Sequence, residues 1–175
     1  KIREVPVYIK GGIGPHTAAA CYLAGAKGVV LDDQLLLMPE SPLPSAWKRE
    51  LESISGQETA LLGPGLGITC RVLNLPKFEV GKKLFALERQ MEGKNIPDQD
   101  IGRQWKKEIL AYLGWGDPQY CAWPIGQGIM HAYYFAKDYF STGRLIQAIK
   151  KTAVQQARAA GAADPLQLGS ALAKA

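Results

Sequence analysis

A strand, a glycine turn, a helix and a second strand follow one another within residues 5–32, and no other segment constrains the fold as strongly. Residues 5–9 are apolar at successive positions, as strands buried on both faces of a parallel sheet are. Pro15 begins an alanine-rich helix, Gly25 ends that helix, and Gly28 opens a second apolar run. A strand, a crossover helix and a strand of this length predict a right-handed βαβ unit with parallel strands.

The predicted sheet is too small to stand alone. Two parallel strands leave both faces largely uncovered, whereas parallel sheets are normally covered by helices on both sides. The chain begins with Lys1 rather than methionine, and no charged segment followed by an apolar one marks a signal peptide. We therefore expect the chain to be a piece of a longer polypeptide whose other strands precede Lys1.

Composition excludes several classes of protein. Hydrophobic residues make up 47% of the chain and charged residues 21%, which is ordinary for a globular protein, and no apolar run is long enough to cross a membrane. The net charge of +5 is not gathered into one basic run, so nucleic-acid binding is not indicated. Three cysteines without Cys-x-x-Cys spacing predict neither a disulfide framework nor a metal site. We expect a cytoplasmic protein with reduced thiols.

The pattern becomes mostly helical beyond Gly56, which we take as the boundary between two regions, residues 1–55 and residues 56–175. The second region opens with two apolar runs, at residues 58–62 and 68–73, which predict two short strands.

Three further helices are predicted from apolar residues at helical spacing. The first ends near Gly93, the second ends at Gly114, and the third is a long helix capped by Thr142. A short last helix is predicted to start at Asp164.

The glycine turn at residues 11–14 (Gly-Gly-Ile-Gly) has two interpretations. Glycines allow the main chain to approach a phosphate closely, and the helix that follows adds its dipole. Any strand-to-helix turn can also require glycine for a positive φ angle. The turn is not a Gly-x-Gly-x-x-Gly motif and no P-loop lysine follows it, so its spacing alone slightly favours the plain turn.

The first third of the chain resembles the end of the nitronate monooxygenase (2-nitropropane dioxygenase) family of FMN-binding (β/α)8 barrels. The resemblance implies an α/β fold, in which residues 1–55 are the C-terminal βαβ portion of a TIM-type barrel and a mostly helical extension follows. It also implies that Gly11, Gly12 and Ile13 contact the FMN phosphate after the seventh strand, in keeping with the usual phosphate position in such barrels. The matching segments are Val5-Pro6-Val7, Gly11-Gly12-Ile13-Gly14, Ala24-Gly25-Ala26-Lys27-Gly28-Val29-Val30-Leu31-Asp32 and Glu40-Ser41.

One departure from the family bears on the cofactor. The family commonly has Gly-Thr after its last strand as a second phosphate contact, whereas this chain has Asp32 and Asp33. Two carboxylates repel a phosphate dianion unless they point away or a cation intervenes. Retention of FMN therefore depends on how these two side chains are placed.

The chain is similar, more narrowly, to nitronate-monooxygenase-like regions within polyketide and polyunsaturated fatty acid synthases. The run at residues 28–35 carries this likeness, and residues 113–118 and 123–127 resemble a segment that joins two flavin-barrel regions in such synthases. This resemblance implies a flavin-dependent enoyl reductase as part of a larger polypeptide.

No catalytic residue is assigned in this chain. The catalytic histidine of the family lies upstream of the glycine turn, and therefore outside these residues. His16 is interpreted as an exposed helix residue rather than an anion contact, and His131 as a structural histidine rather than a ligand. The glycine-rich segment at residues 63–67 is interpreted as a plain loop rather than an anion-binding nest.

Two surfaces invite both a functional and a structural interpretation. The aromatic residues could line a groove, although at these spacings they more often fill a helical core. The cations of the last long helix could form a solvated face, or could bind an acidic acyl carrier protein. The aromatic set is Trp115, Tyr120, Trp123, Tyr133, Tyr134 and Tyr139, and the cationic set is Arg144, Lys150, Lys151 and Arg158.

Two functional hypotheses follow. The first is a fragment of an FMN-dependent oxidoreductase that carries the phosphate loop and is inactive without the rest of the barrel. The second is a non-catalytic structural or carrier-docking region of a multidomain synthase, which Asp32 and Asp33 favour.

Overall fold

The computed structural model describes residues 5–92 and 98–161, without the side chains of residues 98 and 99. These residues form two packing units. One comprises residues 5–54 and 128–161 and is called here the outer unit; the other comprises residues 55–92 and 98–127 and is called the middle unit. Residues 128–161 thus group with the N-terminal residues rather than with the middle unit. The predicted domains, residues 1–55 and 56–175, remain a prediction, because a packing unit need not fold alone.

The outer unit opens with the predicted βαβ arrangement. Strand β1 spans Tyr8–Lys10, helix α1 spans Pro15–Leu23, and strand β2 spans Gly28–Val30. The two strands are parallel, with Tyr8 opposite Gly28. Gly25 follows α1 with φ of 93°, a conformation that suits glycine. The parallel βαβ unit is therefore confirmed, as two strands of a sheet rather than a closed barrel within the described residues.

The expected burial of the first strand is wrong. Val5, Val7 and Tyr8 are 78%, 56% and 64% exposed, and regular pairing begins only at Tyr8. Among the described residues β1 pairs with β2 alone and is therefore an edge strand of a two-stranded sheet. The apolar sequence at residues 5–9 is typical of a strand in a larger sheet than the one present here.

Among its described residues, three further α-helices complete the outer unit around α1. Helix α2 spans Ser45–Leu51, α5 spans Ala132–Tyr139 and α6 spans Thr142–Ala159. Small side chains bring α1 and α6 together, since Ala19, Ala153 and Ala157 are all buried in one cluster. A second apolar cluster lies beside them, formed by Ile13, Ala18, Met38, Phe135, Leu145 and Ile149.

The start of α6 differs by one residue from the prediction. Ser141, not Thr142, caps the helix, because the Ser141 hydroxyl accepts a hydrogen bond of 3.2 Å from the Arg144 N–H. Thr142 instead donates its main-chain N–H and its hydroxyl to the Glu40 carboxylate at 3.2 to 3.3 Å. Hydrogen bonds from the main-chain N–H of Glu40 itself and from Thr142 lower the pKa of that carboxyl group. The carboxylate thus anchors the first turn of α6.

The middle unit is a hairpin packed against two helices. Strands β3 (Thr59–Leu62) and β4 (Cys70–Leu73) are antiparallel, and helices α3 (Glu79–Glu92) and α4 (Asp98–Tyr112) follow. Both predicted strands and both helices are confirmed, while the predicted helix end at Gly93 and the helix from Asp164 lie outside the described residues. The core consists of Leu62, Leu66, Val72, Val80, Leu84, Met91, Ile101, Trp105, Ile109 and Ala122.

The glycine-rich loop between β3 and β4 is held by a side chain of this chain. The Gly63 N–H donates a 2.8 Å hydrogen bond to Oε1 of Glu88, a carboxylate on α3 that is only 7% exposed. Burial raises the pKa of Glu88, the nearby charge of Glu92 raises it further, and the Gly63 N–H opposes both. The N–H that an external anion would need at Gly63 is therefore already used, in agreement with the plain-loop interpretation.

Replacing Glu88 with glutamine is expected to make the stability of the chain less dependent on pH. Because the folded state raises the pKa of Glu88, its contribution is fully present below the unfolded pKa and is lost as pH rises through the folded pKa. Glu88→Gln keeps an oxygen that can accept from Gly63 without a buried charge. Urea unfolding across the pH range should show equal stability in acid and a more stable variant at neutral pH. A variant that is less stable than wild type at neutral pH would contradict this account.

The aromatic residues divide between core and surface. Trp123 is buried and contacts Phe78 edge to face at 5.2 Å between ring centroids. Tyr120, Tyr133 and Tyr134 are instead 70%, 43% and 62% exposed, so the expectation of an aromatic core is wrong for these tyrosines. Among the described residues, no helix combines the length and the apolar character needed to cross a bilayer.

Candidate functional site

The candidate site lies where the two parallel strands end. Lys10 pairs with Val30 as the last residue of each strand, so the turns that follow them leave the same edge of the sheet. Residues 11–14 follow β1, and Asp32 and Asp33 follow β2. The carboxyl end of parallel strands is where ligands bind in α/β folds.

The main chain of the first turn is open to a ligand. Gly11 and Gly12 have φ angles of 99° and 58°, and no atom lies within 4 Å of a Cβ built on either residue. The glycines are therefore required by the left-handed backbone and not by crowding within the chain. Within the described residues, the N–H groups of Gly12 and Ile13 donate to no protein acceptor. The turn thus offers two N–H groups beside the start of α1, which suits an anion.

A threonine in the first turn of α1 fixes the shape of this loop. The Thr17 hydroxyl accepts a 2.7 Å hydrogen bond from the Gly14 N–H and lies 2.9 Å from the Gly12 carbonyl oxygen, to which it donates. Thr17 is the third residue of α1, and its side chain pairs with the main-chain N–H of Gly14, the residue that precedes the helix. It uses the Gly14 N–H and leaves those of Gly12 and Ile13 for a ligand.

A buried glutamine joins the two turns. Gln34 is 2% exposed; its Oε1 accepts from the Asp32 N–H at 3.0 Å and its Nε2 donates to the Ile13 carbonyl oxygen at 3.3 Å. Buried amides are stable only when their polar atoms are paired, and both functional ends of Gln34 are. Gln34 therefore fixes the distance between the loop after β1 and the loop after β2.

The carboxylate of Asp32 is partly neutralised by a neighbouring lysine. The Lys10 ammonium forms an ion pair with Asp32 Oδ2, and the two side chains are 60% and 51% exposed. The hydrogen bond to Asp32 and the Asp32 charge raise the pKa of Lys10, and Asp33 adds to this. A carboxylate can lie near a phosphate if it points away or if a cation intervenes. Asp32 meets the second condition, because the Lys10 ammonium lies against it. The assignment of Gly11, Gly12, Ile13, Asp32 and Asp33 as cofactor contacts stays a prediction.

The two histidines do not form a catalytic set. His16 is exposed on α1 and its Nδ1 lies 3.0 Å from Nε2 of Gln156 on α6. His131 is half-buried and stacks on Phe135, with ring centroids 5.5 Å apart. Across residues 5–92 and 98–161 no group of three or more His, Cys, Asp or Glu side chains could hold a metal ion. The structure therefore gives the two histidines separate neighbours, Gln156 for His16 and Phe135 for His131.

Sequence reasoning missed three residues of the site, namely Lys10, Thr17 and Gln34. A signal existed for Thr17, because a hydroxyl three residues after a glycine cap is a capping-box position. Gln34 stands at the start of an apolar run, but glutamine is mostly exposed in proteins, so its burial had no local signal. No local sequence pattern predicts the pairing of Lys10 with Asp32, because this pairing depends on the register of β1 and β2.

No family model matches the chain, and no curated protein matches it by sequence. Solved structures do match. FabK from Thermotoga maritima has 20% sequence identity and a TM-score of 0.55, with 89% of this chain and 47% of that chain covered. A point mutant of the same protein gives 18% identity and a TM-score of 0.54, with 89% and 45% covered. The chain therefore spans about half the length of these structures, and at this identity the likeness shows that it shares part of the FabK fold.

Proposed function

We propose that this chain is the phosphate-binding part of an FMN-dependent oxidoreductase related to the flavin enoyl reductases. Part of the FabK fold is present in this chain, and its glycine turn resembles the phosphate loop of the nitronate monooxygenase family of FMN barrels. The observation that carries the proposal is the open glycine turn, with φ of 99° at Gly11 and 58° at Gly12, at the carboxyl end of a parallel strand within a FabK-like fold.

The residues of the turn fit the phosphate of FMN. The N–H groups of Gly12 and Ile13 donate to no acceptor among the described residues. No atom lies within 4 Å of a Cβ built on Gly11 or Gly12. The start of α1 adds a partial positive charge, and Lys10, paired with Asp32, offsets the charge of that carboxylate. In our proposal Gly11, Gly12 and Ile13 hold the phosphate, Gln34 fixes the turn, and Lys10 offsets the charge of Asp32.

FMN, when bound, supplies hydride transfer, and the protein supplies binding and orientation. In this proposal the described residues of the turn bind and orient the phosphate, and no group that transfers a proton to the substrate is assigned among them. We therefore propose that the catalytic groups and most of the flavin pocket belong to other parts of a larger polypeptide. On this view the 175-residue chain by itself does not turn over a nitronate or an enoyl thioester.

The proposal is tested by expressing the chain together with its native upstream sequence. The expected product is yellow, with the visible absorption band of a bound flavin that acid or heat releases as FMN. The 175-residue chain, prepared in parallel, should be colourless and inactive with added FMN. A well-folded, colourless product from the longer polypeptide would overturn the proposal.

Replacing Asp32 with asparagine is expected to tighten FMN binding in the longer polypeptide. The change removes a carboxylate near the phosphate and frees Lys10 to face it, while the side chain keeps its size. Both residues are more than half exposed, so screening by water limits the gain to roughly a few-fold in Kd. A titration of FMN fluorescence measures the change, with Asp138→Asn on α5 as the matched control. Weaker binding by Asp32→Asn would show that the carboxylate holds the loop rather than opposing the ligand.

The alternative function is a non-catalytic structural or carrier-docking region of a polyketide or fatty acid synthase. Its support is the presence of Asp32 and Asp33 where the resembling family commonly has Gly-Thr. The same expression experiment separates the two, since only the oxidoreductase proposal requires flavin.

A further inference from the structure

Gly14, the last glycine of the turn, is required by the space around it rather than by its backbone. Its φ and ψ angles are −141° and −175°, an extended conformation that any residue adopts. A Cβ built on Gly14 would lie 3.0 Å from Cζ and 3.8 Å from Cε1 of Phe135 on α5. The main chain of the turn therefore lies directly against an aromatic ring from a distant part of the sequence.

The Phe135 ring is itself held by its neighbours. It is buried, and it belongs to the apolar cluster that contains the side chain of Ile13. His131 stacks on the ring with centroids 5.5 Å apart, and Tyr139 meets it edge to face at 5.8 Å. These two residues lie four positions before and four positions after Phe135, so the three rings share one side of the helix. The ring is therefore fixed where it meets Gly14.

The position of Gly14 determines that of the N–H groups which bind the phosphate in our proposal. The Gly14 N–H donates to the Thr17 hydroxyl, and the same hydroxyl donates to the Gly12 carbonyl oxygen. Ile13 lies between the two glycines in the chain. A shift of Gly14 would consequently turn the N–H groups of both Gly12 and Ile13.

A second contact supports the turn from the same part of the chain. A Cβ built on Gly128 would lie 3.3 Å from both Cδ and Oε1 of Gln34, so this amide has little room to move toward Gly128. Nε2 of Gln34 in turn donates to the Ile13 carbonyl oxygen. Residues 128–135 therefore support the turn at two points, directly at Gly14 and through Gln34 at Ile13.

We propose that Phe135 is a positioning residue for the phosphate turn, because its ring fixes Gly14 and so aims the N–H groups of Gly12 and Ile13 at the phosphate. Gly128 supports the same turn by holding the Gln34 amide in place. The inference rests on the proposed function, since it names what shapes that site. Binding groups must be held within about 0.5 Å of their productive positions, and rigid neighbours provide this precision. The phosphate site is thus built from residues 10–34 and 128–135, which the middle unit separates in the sequence.

The test is a double-mutant cycle on the affinity of the longer polypeptide for FMN, measured by titration of FMN fluorescence. Gly14→Ala should raise the Kd roughly tenfold, because the new methyl group and the fixed ring must separate by a few tenths of an ångström. In the Phe135→Leu background the shorter side chain leaves room for the methyl group. There the same substitution should raise the Kd by less than about twofold.

Phe78→Leu provides the matched control background, because Phe78 is a fully buried phenylalanine of the middle unit. In that background Gly14→Ala should still cost roughly tenfold in Kd. Phe135→Leu and Phe78→Leu should both lower the thermal midpoint, so a general loss of stability cannot produce a rescue that is specific to Phe135.

Equal costs of Gly14→Ala in all three backgrounds would overturn the proposal, because Phe135 would then act only through general packing. A wild-type longer polypeptide that binds no FMN would refute the proposed function and this inference together. Tight binding by wild type without rescue by Phe135→Leu would refute the inference alone.

Gly128→Ala tests the second contact. Its methyl group would press on the Gln34 amide, so the Kd for FMN should rise roughly threefold or more. Gly143→Ala is the matched control in the same unit, because its Cβ would lie 4.0 Å from Ser141 Oγ, and it should bind within about twofold of wild type. Equal Kd values for the two variants would overturn the role given to Gly128.

Discussion

Gly63→Ala is expected to destabilise the middle unit by more than about 3 kcal/mol, because the substitution combines backbone strain with a severe clash. A Cβ built on Gly63 would lie 2.2 Å from the Ile68 carbonyl oxygen and 2.2 Å from Nε1 of Trp105. Those two atoms are already joined by a 2.9 Å hydrogen bond in which the indole N–H donates. The φ angle of 76° adds the cost of a left-handed alanine, about 1 kcal/mol.

Gly67→Ala separates the two causes. Gly67 has nearly the same φ, 75°, but no atom lies within 4 Å of its Cβ position. Its replacement should therefore cost only the backbone term, about 1 kcal/mol. Urea unfolding followed by tryptophan fluorescence reports mainly on this unit, because it holds three of the four tryptophans of the chain, Trp105, Trp115 and Trp123. Similar losses in the two variants would mean that the loop moves aside and that Trp105 does not fix it.

The second large effect is expected at the glycine turn, where Gly12→Asp should weaken flavin binding by the longer polypeptide at least roughly 30-fold relative to Gly12→Asn. Gly12 has φ of 58°, a conformation that aspartate and asparagine adopt more readily than other side chains. Gly12→Asp and Gly12→Asn therefore carry a similar backbone cost and differ in charge. A carboxylate about 4 Å from a phosphate dianion costs about 2 kcal/mol even in water, which is roughly 30-fold in Kd.

The measurement is the Kd for FMN of both variants beside wild type. Gly12→Asn should keep measurable binding, and Gly12→Asp should bind at least roughly 30-fold more weakly than Gly12→Asn. Raising the salt concentration should narrow the gap between them, since it arises from charge. If the two variants bind equally, the phosphate does not lie at this turn, and the assignment of Gly11, Gly12 and Ile13 fails.

Much of the local structure could be predicted because the signals for it are local. Pro15 and Gly25 mark the two ends of α1, and Gly28 begins β2. The parallel βαβ arrangement follows from these marks alone. Burial could not be predicted in the same way, since an apolar strand at residues 5–9 is buried only when other elements cover it.

The candidate site was predictable in its main chain but not in its side chains. The turn at residues 11–14 can be predicted because repeated glycines directly after a strand indicate a tight turn of the main chain. The contacts of Gln34 with Ile13 and Asp32 join residues that lie 21 and 2 positions away, and they require the two turns to be adjacent first. The Lys10 ion pair likewise depends on strand register, which the sequence of one strand does not contain.

The small parallel sheet has a consequence for anyone who purifies this chain. Within the described residues each of its strands has one hydrogen-bonding edge without a partner, and Val5 and Val7 beside β1 are largely exposed. Open edges next to exposed valines are templates for intermolecular strand addition. Oligomers of the isolated chain would therefore arise from strand pairing at this open edge. Only the oligomeric state of a longer polypeptide, in which its own strands cover the edge, is informative about the working protein.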